Sequence, residues 1–323
     1  MRTTPRTVLV AIPTYQRPGQ LAVGLPLVLA QARQVSEQNE FRASVVVIDN
    51  DPHASARDVV AALAGEDLDY VVEPQPGISA ARNRALDEAK DADLLVFLDD
   101  DEQPREGWLR CLLQTWEATV AAAVMGRVVS QLEGDLDPWV QAGQFFQRAR
   151  MPTGTAIPVA AAGNLLLDLR QIREVGVRFD ERLGLTGGED TLFSRTLASR
   201  GGRMVWCDES VADDYVPAAR LTRRWVLTRS WSHGNAASLV ELYLAADWRR
   251  RQLVRIRECR RGLVRIVGGA ARYLVGLVTR SRRHQARGLR TVYRGGGMIS
   301  AAVGLRYQEY ARPTSAGDQR ASR

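Results

Sequence analysis

The 323-residue chain is poor in the residues that build metal and disulfide frameworks. Its three cysteines (Cys111, Cys207, Cys259) and three histidines (His53, His233, His284) fall at no close spacing, which excludes a disulfide-stapled fold and a CxxC zinc site. Lysine is almost absent: Lys90 is the one lysine among 44 basic residues, a preference that codon bias explains as readily as function does. No run approaches the ~20 consecutive apolar residues of a membrane helix, and the N-terminus carries no secretory apolar segment. The expected compartment is therefore the cytoplasm. Internal repeats and low-complexity blocks are also missing.

What is present is ordinary globular material, 45% hydrophobic and 25% charged, enough for a substantial core. The net charge of +7 hides an asymmetry. From Trp248 onward there are 19 arginines and three acids, a surplus of 16, which leaves the first 247 residues at −9. An acidic body with a basic tail points to a local anionic partner for the tail.

The apolar runs 7–12 (TVLVAI), 43–51 (ASVVVIDND), 68–74 (LDYVVEP) and 94–101 (LLVFLDDD) read as buried strands, the first stopped by Pro13. Helical spacing fills 21–34, 55–63 and 77–93, the last entered through a Gly-Ile-Ser segment that offers an N-cap. This alternation predicts βαβ units and a mostly parallel sheet. Ligands of such sheets bind beyond the carboxyl ends of the strands, which would bring Asp49, Asp99 and the 13–17 loop to one crevice. From about Glu106 the alternation becomes irregular, with strands expected near 122–129 and 160–169 and a Gly-rich loop entering a helix over 183–201.

The fourth strand ends on Asp99, Asp100, Asp101 and Glu102. Acids so close repel one another, so a cation is expected among them. Alternate residues at a strand end share a side, so Asp99 and Asp101 can aim at one point while Asp100 faces elsewhere. Mg²⁺ and Mn²⁺ take such oxygen ligands and share their other positions with phosphates. The plainer reading is a solvated acidic turn opening a helix at Pro104.

Five motifs occur in order: IPTYQRP (12–18), VVVIDND (45–51), GISAARNRAL (77–86), VFLDDDE (96–102) and GGEDTLFSR (187–195). On these the chain, over roughly 7–240, resembles the family 2 glycosyltransferases, nucleotide-sugar-dependent enzymes of the GT-A fold. The resemblance implies that Pro13, Thr14, Tyr15 and Arg17 cradle a uridine, with Gln16 where Asn is usual. It implies that Asp49 accepts from the uracil N3–H and that Arg82 and Asn83 lie against the nucleotide. Asp99 and Asp101 match the metal-binding DxD, and Asp99 and Asp100 count among the donor-binding positions. Asp190 of the Glu189–Asp190 pair would be the general base; the plainer reading of that pair is helix-dipole stabilisation after Gly187–Gly188. Many relatives carry His just before the Val-Pro of 216–217; here Tyr215 stands there, and Asp214 or a water is the substitute candidate for a third metal ligand. His233 is expected in a packing or surface role.

The implied activity is inverting transfer from a UDP-sugar to a hydroxyl of a saccharide, lipid-linked or small-molecule acceptor, dependent on Mn²⁺ or Mg²⁺. It would serve polysaccharide, glycolipid or glycoside synthesis. The alternatives are a sugar nucleotidyltransferase, which would want a basic Gly-rich loop after the first strand, and a non-catalytic membrane- or nucleic-acid-binding protein. The expected organisation is a GT-A domain over 1–245, with a donor half of about 1–105 and an acceptor half of 106–245. A basic amphipathic helical extension follows over 246–312, then a disordered tail over 313–323. Two readings of the extension stay open: contact with an anionic membrane surface through 249–294, making the enzyme peripheral on the inner face of the cell membrane, or packing on the catalytic domain. Gly268 and Gly269 argue against a long continuous helix there. Nucleic acid is disfavoured, because the tail lacks interleaved aromatics.

Overall fold

The computed structural model describes residues 5–310 except 64 and 149; the tail expected over 313–323 lies outside the described residues. The first part alternates as its apolar runs require: β1 (Arg6–Thr14), α1 (Pro18–Ser36), β2 (Phe41–Asp49), α2 (Arg57–Ala61), β3 (Leu68–Val72), α3 (Ile78–Glu88) and β4 (Leu94–Leu98). There follow β5 (Glu102–Pro104), α4 (Trp108–Thr119), β6 (Ala123–Glu133), α5 (Pro138–Gly143), β7 (Asn164–Asp168), α6 (Leu169–Val175), α7 (Glu189–Ser199) and β8 (Met204–Pro217). Three further helices follow: α8 (Arg223–Leu244), α9 (Trp248–Val278) and α10 (Arg282–Ala302).

The strands form one sheet in the order β3-β2-β1-β4-β7-β6-β8-β5. β1, β2, β3 and β4 are mutually parallel, β7 runs antiparallel to both β4 and β6, and β5 runs antiparallel to β8. Pro13 does not stop β1: it pairs in register with Ile48, and pairing with β4 has already ended at Ala11, so its missing N–H costs little. Side chains alternate between two cores. Val8, Val10 and Ile12 pack with α1 and α4, while Leu9 and Ala11 pack with α3, α6 and α7. Burial on both faces explains why these strands are continuously apolar.

β5 and β8 are absent from the sequence reading. β5 is a three-residue strand made of Glu-Gln-Pro, with no apolar pattern to betray it. β8 carries Asp208, Glu209, Asp213 and Asp214 among its apolar positions, and its pairing with β6 shifts register at Gly126/Arg127. Asn164 organises that irregularity, accepting from the buried Trp108 indole at 2.9 Å and donating to the carbonyls of Arg127 and Ser210. A Cβ at Gly126 would lie 2.3 Å from the Asn164 side chain.

α9 also differs from expectation, running unbroken for 31 residues through Gly268 and Gly269. Each interior glycine forfeits about 1 kcal/mol of helix propensity, but tertiary packing outweighs it. Gly262, Gly269 and Gly276 recur every seventh residue on the face toward α10. A Cβ at Gly262 would lie 2.7 Å from the Gly295 carbonyl, and one at Gly269 would lie 2.8 Å from that of Gly288. α10 in turn meets α8, where a Cβ at Gly234 or Gly297 would lie 2.0 Å from a carbonyl oxygen of the partner helix. The chain then doubles back. Asn235 on α8 donates to the Leu305 carbonyl at 2.8 Å and accepts from the Tyr307 amide, and the Tyr310 amide donates to the Leu185 carbonyl. Residues 248–310 of the expected extension are thus packed onto the body through α10 and the segment after it.

Candidate active site

The carboxyl ends of β1, β2 and β4 open into a cleft of about 780 Å³. Its first wall is the turn after β4, fixed through backbone: the Asp99 amide donates to Gly163, and the Glu102 amide donates to Asp99. From this turn Asp100 is buried and accepts from Thr14 Oγ1 at 2.7 Å and from Arg17 at 2.8 Å. Asp101 accepts from the same Arg17 at 2.9 Å and pairs with Arg220 at 3.5 Å. Asp99 pairs with Arg82, and Asp214 on β8 pairs with Arg148. In the structure, Asp99, Asp100, Asp101 and Asp214 are thus each paired with an arginine guanidinium.

The arginines do not fully neutralise that wall. Burial pushes the Asp100 carboxyl up to about 6. Burial, together with nearby like charges, also raises Asp99, Glu102 and Asp214 above the ordinary carboxylate range. Glu102 Oε2 is buried without a hydrogen-bond partner among the described residues. A Cβ at Gly163 would crowd Glu102 at 2.8 Å and Asp99 at 3.0 Å, so glycine there leaves room for two carboxylates. Such excess hard oxygen suits a divalent cation.

The second wall begins where Gly187 and Gly188, both at positive φ, turn the chain into α7. That turn sets Glu189 and Asp190 in opposite situations. Glu189 is 5% exposed and accepts from Arg82 Nη1 at 2.5 Å, while Asp190 is half-buried on the cleft wall. Burial raises the Glu189 carboxyl to about 7 against the pull of Arg82. Arg82 is positioned in turn by the entry to α3. Asn50 donates to the carbonyls of Glu73 and Gln75 and accepts from the Gly77 amide. Gly77, at φ 116°, passes so close to Gly184 that a Cβ would lie 3.0 Å from its backbone. Within the Gly-Ile-Ser entry Gly77 is the N-cap residue of α3, and the Ser79 hydroxyl donates to the Asp180 carbonyl.

Of the residues singled out from sequence, Pro13, Thr14, Tyr15, Arg17, Arg82, Asp99, Asp100, Asp101, Glu189, Asp190 and Asp214 line this one cleft. Asp49 and Asn83 do not. Asp49 is fully buried beneath it, accepting from the amides of Asp51 and Ala56 and from the Tyr70 hydroxyl. Asn83 is clamped to the backbone of Phe179 by two hydrogen bonds. Its neighbour in the resembled motif, Arg82, takes the cleft-facing position because helix geometry aims adjacent residues apart. Asp99, Asp101 and Asp214, the residues expected to hold a metal, all line the cleft and are each paired with arginine, and among the described residues no three His, Cys, Asp or Glu side chains already converge on a point. On β8 it is Asp214 that faces the cleft, while Tyr215 is outside its lining. His233, expected in a packing or surface role, is exposed where it lines the cleft, and desolvation together with Arg229, Arg294 and Arg290 depresses it to about 4.

Sequence reasoning missed much of the second wall. Phe146 and Trp225 stack at 6.0 Å with 15° between their planes, and Arg290 of α10 lies over Phe145. Glu309 reaches back from beyond α10 to pair with Arg229 and accept from Ser232, and Tyr310 lies beside it in the cleft. Trp225 follows the Val-Pro of 216–217 by only a few residues and was the one available signal.

The family model for glycosyl transferase family 2 matches residues 9–175. The succinoglycan biosynthesis protein ExoM of Rhizobium meliloti (strain 1021) is 35% identical over 228 residues, which cover 70% of this chain and 72% of that protein. The pre-mycofactocin glycosyltransferase of Mycobacterium tuberculosis is 32% identical over 171 residues, half of this chain but only 35% of the relative. Among solved structures, S. aureus TarS 1-349 in complex with UDP-GlcNAc aligns with a TM-score of 0.51 at 12% identity, over 94% of this chain and 93% of the other. GalNAc-T7 with UDP, GalNAc and Mn²⁺ aligns with a TM-score of 0.50 at 14% identity, over 74% and 51%. At such identities the structural likeness is one of fold.

Proposed function

Since the chain belongs to glycosyl transferase family 2 and has the GT-A fold, we propose that this glycosyltransferase moves a sugar from a UDP-sugar to a hydroxyl acceptor with inversion. The observation that carries the reading is the division of the acid pair at the start of α7. Glu189 is turned inward onto Arg82 and Asp190 is left in the cleft. Asp190 takes the proton of the acceptor hydroxyl as its oxygen attacks the anomeric carbon. Attack opposite the departing diphosphate is a single displacement, which inverts that carbon. Glu189 acts through Arg82, holding the guanidinium at the junction of the two walls.

On the donor side, Pro13, Thr14, Tyr15 and Arg17 cradle the nucleoside, and Arg17, Arg82 and Arg220 receive the negative charge of the diphosphate. Asp49, beneath the cleft, supports the turn that carries Asn50. Asp99 and Asp101 are the residues that would hold Mg²⁺ or Mn²⁺, with Asp214 as the further oxygen. When bound, such an ion neutralises charge on the leaving diphosphate without moving a proton. The stacked Phe146 and Trp225 offer an apolar platform of the kind that receives a sugar face. The relative named for succinoglycan biosynthesis favours a saccharide acceptor in polysaccharide assembly. The donor half then spans about 1–105, and the acceptor half, about 106–245, is completed by Arg290, Glu309 and Tyr310.

A thermal-shift series with UDP and UDP-sugars, with and without Mn²⁺, tests the reading, because a ligand of the native state raises the melting temperature by mass action. UDP should raise it, Mn²⁺ should enlarge the rise, and Asp99→Asn should remove the Mn²⁺-dependent part. Asp190→Asn should keep the shift while losing about 10²- to 10⁴-fold in transfer. Transfer at the wild-type rate in that variant would refute the base assignment.

A further inference from the structure

α9 is packed on one side only. Toward α10 and α8 it presents Gly262, Gly269, Gly276 and Glu258, all buried. Away from the body it presents Leu253, Ile256, Val264, Val267, Leu274 and Val278, each between 59% and 86% exposed. At 3.6 residues per turn these six fall within an arc of about 80°, and the helix that carries them is about 46 Å long. Single exposed aliphatic residues are ordinary on a protein surface; a file of them along a whole helix marks a contact surface.

The charge around the file identifies what it contacts. Arg249, Arg250, Arg257, Arg260, Arg261 and Arg265 are exposed along the same helix. The one acid of α9, Glu258, is 2% exposed and engaged by Arg257, Arg261 and Ser238. A second copy docked file to file would therefore set arginines against arginines with no exposed acid on α9 to receive them. A nucleic acid would meet the arginines but leave the aliphatic file in water. An anionic bilayer surface satisfies both, taking the aliphatic side chains at the acyl–headgroup boundary and the arginines at the phosphates.

We propose that α9 is a membrane-surface helix that docks the enzyme on anionic lipid. Two arginines of α10 are committed elsewhere: Arg287 donates to the Gly143 carbonyl and to Gln144, and Arg290 lies over Phe145. Within 249–294 the exposed aliphatic file belongs to α9. This docking is independent of the sugar chemistry, since no α9 residue lines the cleft.

The test is co-sedimentation of the full chain with vesicles of phosphatidylcholine alone and of phosphatidylcholine with phosphatidylglycerol, at low and high salt. Expected are binding to the phosphatidylglycerol vesicles, loss of binding at high salt, and affinity weaker by about tenfold or more in Val264→Glu/Val267→Glu. An Arg260→Gln/Arg265→Gln variant should lose affinity for the anionic vesicles as well, and both variants should keep the wild-type melting temperature and transfer to a soluble acceptor. Failure to sediment with either vesicle, or equal binding of both vesicle types, overturns the proposal. So does a lipid-free dimer that the two glutamates convert to monomer, which assigns the file to a second copy. Binding to a DNA duplex that survives those glutamates, with no vesicle binding, overturns it likewise.

Discussion

The two walls of the cleft are held by different forces. The donor wall stands on adjacent parallel strands, and its acids project from a turn whose amides are bonded to neighbouring backbone. The acceptor wall has no such ladder. Leu185–Asp190, α8, Arg290 and Glu309 come from distant parts of the chain and meet through helix contacts so close that only glycine fits. Sheet register resists sliding because a one-residue slip reverses every side chain. A helix contact depends on local shape, and one added methyl group can displace it. The donor wall should therefore tolerate change in its surroundings better than the acceptor wall does.

Arg82 is where the walls join, since it pairs with Asp99 on one and Glu189 on the other. Arg82→Met should have the largest effect on stability. It leaves Glu189 buried without its partner, at a cost of about 3–5 kcal/mol, read as a lowered urea midpoint at pH 8. Arg82→Met/Glu189→Met, which removes both charges, should recover much of that loss. Equal midpoints for the single and double variants would mean that the walls are joined elsewhere.

The same joint should respond to pH. Burial raises Glu189 to about 7, above its unfolded value of 4.5, so between those values the folded protein binds more protons than the unfolded chain does. The Glu189 contribution to stability is therefore fully present below pH 4.5 and is lost as pH rises through 7. The melting temperature of wild type relative to Glu189→Gln should fall across that window. A constant difference would show that Arg82 holds Glu189 ionised throughout.

The donor wall was legible in the sequence and the acceptor wall largely was not. β1, β2 and β4 carry uninterrupted apolar runs that end on polar residues, and parallel topology places those ends together. Within that wall, adjacent residues still exchanged roles, because the periodicity of a strand or helix tells which residues share a face but not which face meets the ligand. Asn83 lost the cleft to Arg82, and Asn50 lines it where Asp49 lies beneath. The acceptor wall depends on contacts such as Arg229–Glu309 and Trp225–Phe146, which join residues about 80 apart and leave no periodic trace. The glycines of α9, which backs α10, were misread for the same reason. Gly268 and Gly269 look like helix breakers in one dimension, and the close approach of α10 that makes Gly269 indispensable exists only in three.

Those glycines also supply the smallest and sharpest test of the contrast, because two substitutions of one chemistry should act with opposite sign. Gly297 sits in α10 with its missing Cβ position 2.0 Å from the Trp231 carbonyl, whereas Gly268 in α9 has nothing within 4 Å. Alanine gains about 1 kcal/mol over glycine in helix propensity at either position. At Gly268 nothing opposes that gain, so Gly268→Ala should raise stability by about 0.5–1 kcal/mol. At Gly297 the new methyl group must push α8 and α10 apart, at about 1–3 kcal/mol or more, and the clash wins. Because α8 and α10 carry Arg229, His233 and Arg290 into the cleft, Gly297→Ala should also weaken acceptor use, seen as a raised KM for acceptor with that for the donor unchanged. If donor KM rose equally, the two walls would be one mechanical unit and the contrast between them would fail.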